Sequence, residues 1–184
     1  IVVIAVIVGL VALARNLFFT SSNNGTDEKT AQQVARENLL TLEADRSVRM
    51  TVRGPIVANE EFRTQQISVA PSSRTYTIYD GYLDSVLDEK TYGNNMAAYE
   101  EFVYALDKAA ITTDGKYTEE EAGDIRGICA TGRVYEYEFL KDGSVTEHYW
   151  TSTCKGSPGT FGASVNQVTN LFVKQIPIKS LDID

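Results

Sequence analysis

The two cysteines of the chain, Cys129 and Cys154, flank a predicted β-hairpin, and this pair restricts the fold more than any other feature. Asp142-Gly143 between them is a strong signal for a two-residue hairpin turn. A turn centred there places the cysteines at the same open end of the hairpin, offset by a position or two. Because a bulge or fraying of the strands can close that gap, we predict a structural disulfide.

Closing a loop of about 25 residues would stabilise the fold by roughly 3 to 4 kcal/mol in the entropic treatment. Free thiols with a redox function are the alternative, but the cysteines do not form a C-x-x-C pair. A zinc site needs more ligands, and His148 is the single histidine.

The first 19 residues, IVVIAVIVGLVALARNLFF, carry one charged side chain, Arg15. As a helix they would be roughly 28 Å long, close to the thickness of a bilayer core. We therefore predict a single-pass membrane anchor at residues 1–19, with the lipid bilayer as its partner. A cleaved signal peptide is the alternative, because Ala12-Leu13-Ala14 supplies the small residues of a cleavage site. A helix packed inside a filament is a third interpretation, and all three place the rest of the chain outside the cytoplasm.

The segment that follows predicts a connection between this anchor and a folded domain. TSSNNGTDEKT is small and polar, which indicates a linker at residues 20–30. The apolar residues Val34, Leu39, Leu40 and Leu42 then predict a stalk helix at residues 31–46. Residues 47–184 are expected to form the extracytoplasmic domain.

The pattern of that domain predicts an α+β fold. Val48, Met50 and Val52 alternate with polar residues, as in a half-buried strand. Two more strands flank a turn at residues 71–73, a helix follows Asn95, and another follows Ser164. With the cysteine hairpin, we expect an antiparallel sheet of about five strands with two to three helices packed on it.

Composition and motifs exclude several functions. The formal net charge is −8, and no run of Lys and Arg is present that could neutralise nucleic-acid phosphates. The chain has no G-x-S-x-G elbow, and the loop KGSPGTFGAS lacks the Walker sequence. We therefore expect no metal, no cofactor and a non-enzymatic role in binding or cell-envelope structure, with a hydrolase as an alternative.

Three residues of the hairpin are candidate contacts with a protein or cell-wall partner: Trp150, His148 and Tyr135. Aromatic side chains serve both cores and binding faces. Trp150 lies on the opposite face of its strand from Tyr149, so we consider it as an exposed contact. His148 shares a face with Trp150, and Tyr135 belongs to a predicted packed face.

Two resemblances accompany these predictions. The segments GICATGRVYEYEF and WTSTCKGSPGTFGASV resemble uncharacterised single-pass surface proteins of Saccharibacteria-type bacteria, which implies a bacterial, membrane-anchored topology and no known activity. The order of apolar helix, stalk, sheet and late disulfide is similar to a type IV pilin, which implies a filament subunit as an alternative function. The chain departs from that pattern at Ala5, where pilins carry a glutamate, and Asn23-Asn24-Gly25 would interrupt the long pilin helix.

Overall fold

A computed structural model of the chain describes residues 29–82, 85–118, 124–156, 159–178 and 181. All that follows concerns the unit Ala31–Asp184. Its described residues contain six strands and three helices. In chain order these are α1 (Ala31–Leu40), β1 (Arg46–Arg53), β2 (Arg63–Val69), β3 (Ser73–Asp80), β4 (Ser85–Gly93), α2 (Met96–Lys108), β5 (Val134–Lys141), β6 (Ser144–Ser152) and α3 (Val165–Val173).

The strands form one sheet in the order β4-β3-β2-β1-β5-β6, and every neighbouring pair is antiparallel. The predicted α+β class is therefore confirmed, but the sheet has six strands instead of about five. The additional strand is β4, in which all residues except Asp88 and Tyr92 are exposed. Since β4 buries neither face, its sequence lacks the alternation by which a half-buried strand is recognised.

The main core lies on one face of the sheet. The buried residues Val48, Met50 and Val52 of β1 point to this face, as their alternation predicts. Met50 is paired with Ile67 on one side and with Tyr137 on the other, so the central strand contributes to a continuous apolar layer.

Helices α2 and α3 cover this layer, and both begin where the sequence indicates. The side chain of Asn95 accepts a hydrogen bond from the backbone nitrogen of Ala98, and Ser164 caps α3 in the same way. The rings of Phe102 and Phe172 meet edge to face, with their centroids 5.2 Å apart, and join the two helices.

Helix α1 is shorter than the stalk expected at residues 31–46. It ends at Leu40, and β1 begins at Arg46. Its residues Ala35 and Leu39 are buried in the main core, and the guanidinium of Arg36 donates two hydrogen bonds to the carboxylate of Asp107 on α2. The helix therefore packs on the domain.

The predicted anchor and almost all of the predicted linker precede the described residues. Across the parts of the chain that the structure describes, no helix is long and apolar enough to cross a membrane.

Candidate functional site

The cysteine hairpin forms around the predicted turn and carries the predicted disulfide. Asp142 and Gly143 have φ angles of 49° and 75°, the left-handed values that a tight hairpin turn requires. Cys129 and Cys154 are bonded, with their Cα atoms 5.4 Å apart.

The gap between the cysteines is closed by fraying of the strands and not by a bulge. The register shift between Phe139 and Leu140 moves the two cysteines farther out of register with each other along the hairpin. The ladder ends at Val134 and Ser152, and the chain segment from Cys129 to Val134 is longer than the segment from Ser152 to Cys154. A turn in that longer segment brings the two sulfur atoms together.

Gly132 lies in this turn and has a specific reason to be glycine. A Cβ atom at this position would lie 2.8 Å from the Sγ of Cys129 and would also collide with the Oγ1 of Thr153. The disulfide and the glycine therefore occupy one tightly packed turn.

Trp150 is not an exposed contact, and that prediction is wrong. Its side chain is 1% exposed and forms a second apolar cluster with Cys129 and Val134, on the face of the sheet opposite the main core. The alternation of β6 does place Trp150 on the opposite face from Tyr149. However, the segment before β5 that carries Cys129, which we call the disulfide loop, covers that corner of the sheet.

A cavity of about 420 Å³ opens beside this second cluster, and we call it the disulfide pocket. Its wall is mainly apolar, and it lies within the size range of small-molecule and side-chain sites. The residues that line it on the apolar side are Ile56, Phe62, Tyr82, Ile125, Ile128, Cys129 and Val134.

Three separate segments build this wall and are tied together by hydrogen bonds. The backbone nitrogen of Ile56 donates to the carbonyl oxygen of Ala130 at 2.9 Å, which joins the β1–β2 loop to the disulfide loop. The hydroxyl of Tyr82 donates to the carbonyl oxygen of Val57 at 2.9 Å. The rings of Phe62 and Tyr82 stack with their centroids 3.9 Å apart, so one wall is a rigid aromatic surface.

The rim of the disulfide pocket leaves large apolar side chains in contact with solvent. Ile56 is 46% exposed, and Val57 and Tyr82 are also exposed. Val86 and Leu87 are exposed as well, and both lie in β4, which begins shortly after Tyr82. Grouped exposed apolar side chains beside a concave site are typical of an interaction surface.

Two arginines at the rim are each neutralised by a carboxylate. Arg126 donates two hydrogen bonds to Asp124, at 2.8 and 2.6 Å, and this contact lowers the pKa of the Asp124 carboxyl to about 2. Arg53 donates to Glu136 at 2.6 Å. Neither guanidinium is an uncompensated positive charge.

Glu136 connects the pocket to the edge of the sheet. Its carboxylate is buried and lies between Arg53 and His148, whose Nε2 is 3.3 Å from Oε2. Burial raises the pKa of Glu136, but the hydrogen bond with His148 and the charge and hydrogen bond of Arg53 together outweigh it, so the net pKa is lowered.

His148 itself lines a second cavity, of about 590 Å³, along the edge strand β6, and we call it the edge groove. Asp114, Lys116 and Glu147 contribute charges of both signs to this groove, and Tyr117 lies beside them. The second cavity is larger than the disulfide pocket, but its mixed lining does not indicate one class of ligand. The disulfide pocket, with its uniform apolar wall, is therefore the stronger candidate site.

The structure thus separates the three predicted contact residues. Trp150 lies in the cluster behind the disulfide pocket, His148 lies at the edge groove, and Tyr135 packs partly buried against the main core. Sequence reasoning missed Ile56, Phe62 and Tyr82. The signal that could have found them is an Ile-Val pair after Gly54-Pro55 and a tyrosine directly after Gly81, since large apolar residues in loops serve recognition.

Within the described segments, no group of three or more His, Cys, Asp or Glu side chains is arranged to hold a metal ion. No protein-family model matches the chain. No curated protein matches it significantly.

Proposed function

We propose that the chain is a bacterial membrane-anchored protein of the cell envelope whose extracytoplasmic domain binds a partner protein without catalysis. The partner inserts an apolar side chain into the disulfide pocket. The observation that carries this proposal is the pocket itself, which combines an apolar wall, a stacked Phe62–Tyr82 pair and an exposed apolar rim.

The energetics of such an anchor fit recognition between proteins. Burying one aliphatic side chain contributes about 1.5 to 3 kcal/mol, which is one to two orders of magnitude in affinity. Interfaces concentrate their binding energy in a few anchors of this kind, seated in pockets that exclude water. A wall that is already packed and hydrogen-bonded loses little conformational freedom on binding.

The location outside the cytoplasm rests on the apolar segment at residues 1–19 and on the disulfide. Structural disulfides persist in oxidising compartments and are rare in the bacterial cytoplasm. The mass of the intact protein from its native membrane fraction, after alkylation with and without reductant, tests this location. We expect residues 1–19 to be retained and alkylation to require reductant. A product cleaved before Arg15 would contradict the anchor, and thiols that react without reductant would contradict the compartment.

Binding is tested with the full chain in lipid nanodiscs and a capped peptide, Gly-Gly-Leu-Gly-Gly. Trp150 is the single tryptophan and touches Cys129 and Val134, which line the pocket, so its fluorescence reports occupancy. We expect a saturable change in emission with the leucine peptide and none with a peptide in which serine replaces leucine.

Two variants with equally exposed residues separate the disulfide pocket from the second cavity, which Val145 lines. Ile56 at the rim and Val145 on β6 are both 46% exposed. We expect Ile56→Ser to weaken leucine-peptide binding about five- to tenfold because apolar contact area is lost, and Val145→Ser to leave it unchanged. Equal effects of the two substitutions would contradict a role for the disulfide pocket.

A further inference from the structure

We infer that the segment that the disulfide pocket recognises is an extended, basic stretch of a partner protein, with positive side chains on either side of its apolar anchor. This inference rests on the proposed function and names the chemistry of the partner. It follows from the charges at the rim and from the position of exposed Val86 on the same face of the sheet.

The uncompensated charge at the rim is negative. Arg53 and Arg126 are each engaged by a carboxylate, as described above. Glu60 and Glu61 directly precede the pocket residue Phe62 in the chain, and both are exposed. Among the residues that the structure describes, neither glutamate side chain forms an ion pair with a cation. The neighbouring Arg63 is itself paired with Asp80, so a partner that approaches this side of the pocket meets a net negative charge.

The charge of the whole chain acts in the same direction. The formal net charge is −8, so the long-range field favours the approach of a cationic segment and disfavours an anionic one. An anionic amphiphile, such as a fatty acid, would find each rim arginine already paired with a carboxylate, Asp124 or Glu136. The ion pairs thus favour a basic peptide over an acidic apolar molecule.

Val86, an exposed apolar side chain, lies farther along the same face of the sheet. Arg53, Thr64, Tyr79 and Val86 lie opposite one another in successive strands, so they form one row across the face that bears the pocket. Three strand spacings of about 4.8 Å separate Arg53, which lines the pocket, from exposed Val86, which gives a length of roughly 14 Å. An extended peptide of four to five residues spans about this distance at ~3.3 Å per residue. A chain segment anchored in the pocket can therefore extend along this row to the apolar side chain of Val86.

The experiment compares capped, fluorescently labelled peptides that share a central leucine. The flanking residues are lysine in one peptide, serine in the second and glutamate in the third, and a fourth peptide has the lysine flanks with serine in place of leucine. Fluorescence anisotropy gives the affinity of each for the full chain in nanodiscs of zwitterionic lipid, at 50 and 500 mM NaCl.

We expect the lysine peptide to bind about five- to thirtyfold more tightly than the serine peptide at low salt, since two exposed charges each contribute a modest factor. The glutamate peptide should bind most weakly. High salt should remove most of the difference, because it screens exposed charges. The lysine peptide without leucine should lose most of its affinity.

A matched pair of double variants locates the effect. Glu60→Gln with Glu61→Gln should abolish the preference for lysine while leaving the affinity for the serine peptide unchanged. Glu100→Gln with Glu101→Gln removes the same formal charge from α2, on the opposite side of the sheet, and should retain most of the preference.

The outcomes distinguish this inference from the proposed function. Leucine-dependent binding with equal affinities for the lysine and serine peptides would overturn the inference and leave the proposed function standing. Failure of every leucine peptide to bind would overturn both. Tighter binding of decanoate than of the lysine peptide, lost in Ile56→Ser, would assign the pocket to an anionic amphiphile and overturn the basic partner.

Discussion

Glu136 is a buried carboxylate with two partners, Arg53 and His148. It is 6% exposed and accepts from Arg53, beside the ion pair that Arg49 and Glu138 form on the same face of the sheet. Breaking a buried ion pair by removing one partner costs more than the pair contributes, because the remaining charge is left without compensation. Glu136 therefore supports the arginine at the pocket rim and the histidine at the edge groove together.

The lowered pKa of Glu136 gives a prediction for acid stability. Because the folded-state pKa lies below the ordinary value of 4.5, ionised Glu136 stabilises the fold above that value. This contribution is lost as the pH falls through the folded-state pKa. We expect Glu136→Gln to reduce the free energy of unfolding at pH 7 by about 1 to 3 kcal/mol.

The same variant should also show a shallower loss of stability between pH 4.5 and pH 3 than the unmodified chain. Urea unfolding of the variant across this range measures both effects. Glu101→Gln, at an exposed position of α2, serves as the control and should match the unmodified chain. Identical pH profiles for Glu136→Gln and the unmodified chain would refute the role assigned to the buried carboxylate.

At the scale of elements, the disulfide hairpin is the scaffold of the pocket. The bond closes a loop with a sequence separation of 25 and places Cys129 in the pocket wall. We expect the double substitution Cys129→Ser and Cys154→Ser to lower the free energy of unfolding by about 3 to 4 kcal/mol, because the unfolded chain gains conformational entropy. Urea denaturation measures this loss.

Binding should respond to the same substitution. The disulfide loop holds Ile125 and Ile128 at the pocket, so its release should weaken leucine-peptide binding even in the fraction that stays folded. Treatment with alkylating agent alone is the control and should change neither stability nor binding, since no free cysteine is present. A loss of stability below about 1 kcal/mol would show that the loop is held by its other contacts.

The elements also show how far the sequence predicts the fold. The alternation in β1, the Asn95 and Ser164 caps and the Asp142-Gly143 turn are local signals, and each predicted its element. Strand β4 has no buried face and gave no such signal. Helix α1 cannot extend to residue 46 because β1 pairs with β5 from Arg46 onward and with β2 from Val48 onward, a tertiary constraint that helical periodicity does not contain.

The candidate site was less predictable than the fold for the same reason. Its wall combines Ile56, Tyr82 and Ile128, which come from three loops that are distant in the sequence. Which loops meet depends on the strand order and on the register, and neither can be read from local patterns. The burial of Trp150 follows from the same loops, so the alternation of β6 correctly predicted its face but not its environment.

At the scale of the whole domain, the two faces of the sheet differ in what packs against them. In the part of the domain that the structure describes, three helices cover one face and form the main core with it, while the disulfide loop covers one corner of the other. The rest of that second face carries polar contacts between strands, such as those of Gln66 with Thr51 and of Thr77 with Glu89. The pocket lies where loop and sheet meet, outside the main core.

The most direct test of the proposed binding site is the amide NMR spectrum of the full chain in nanodiscs during titration with the leucine peptide. We expect chemical-shift changes to concentrate at residues 54–62, at Tyr82 and at residues 125–134, and we expect Ile56→Ser to reduce them at equal peptide concentration. Changes concentrated at residues 114–118 and 145–149 would assign binding to the edge groove instead. A spectrum unchanged at millimolar peptide would contradict the proposed function.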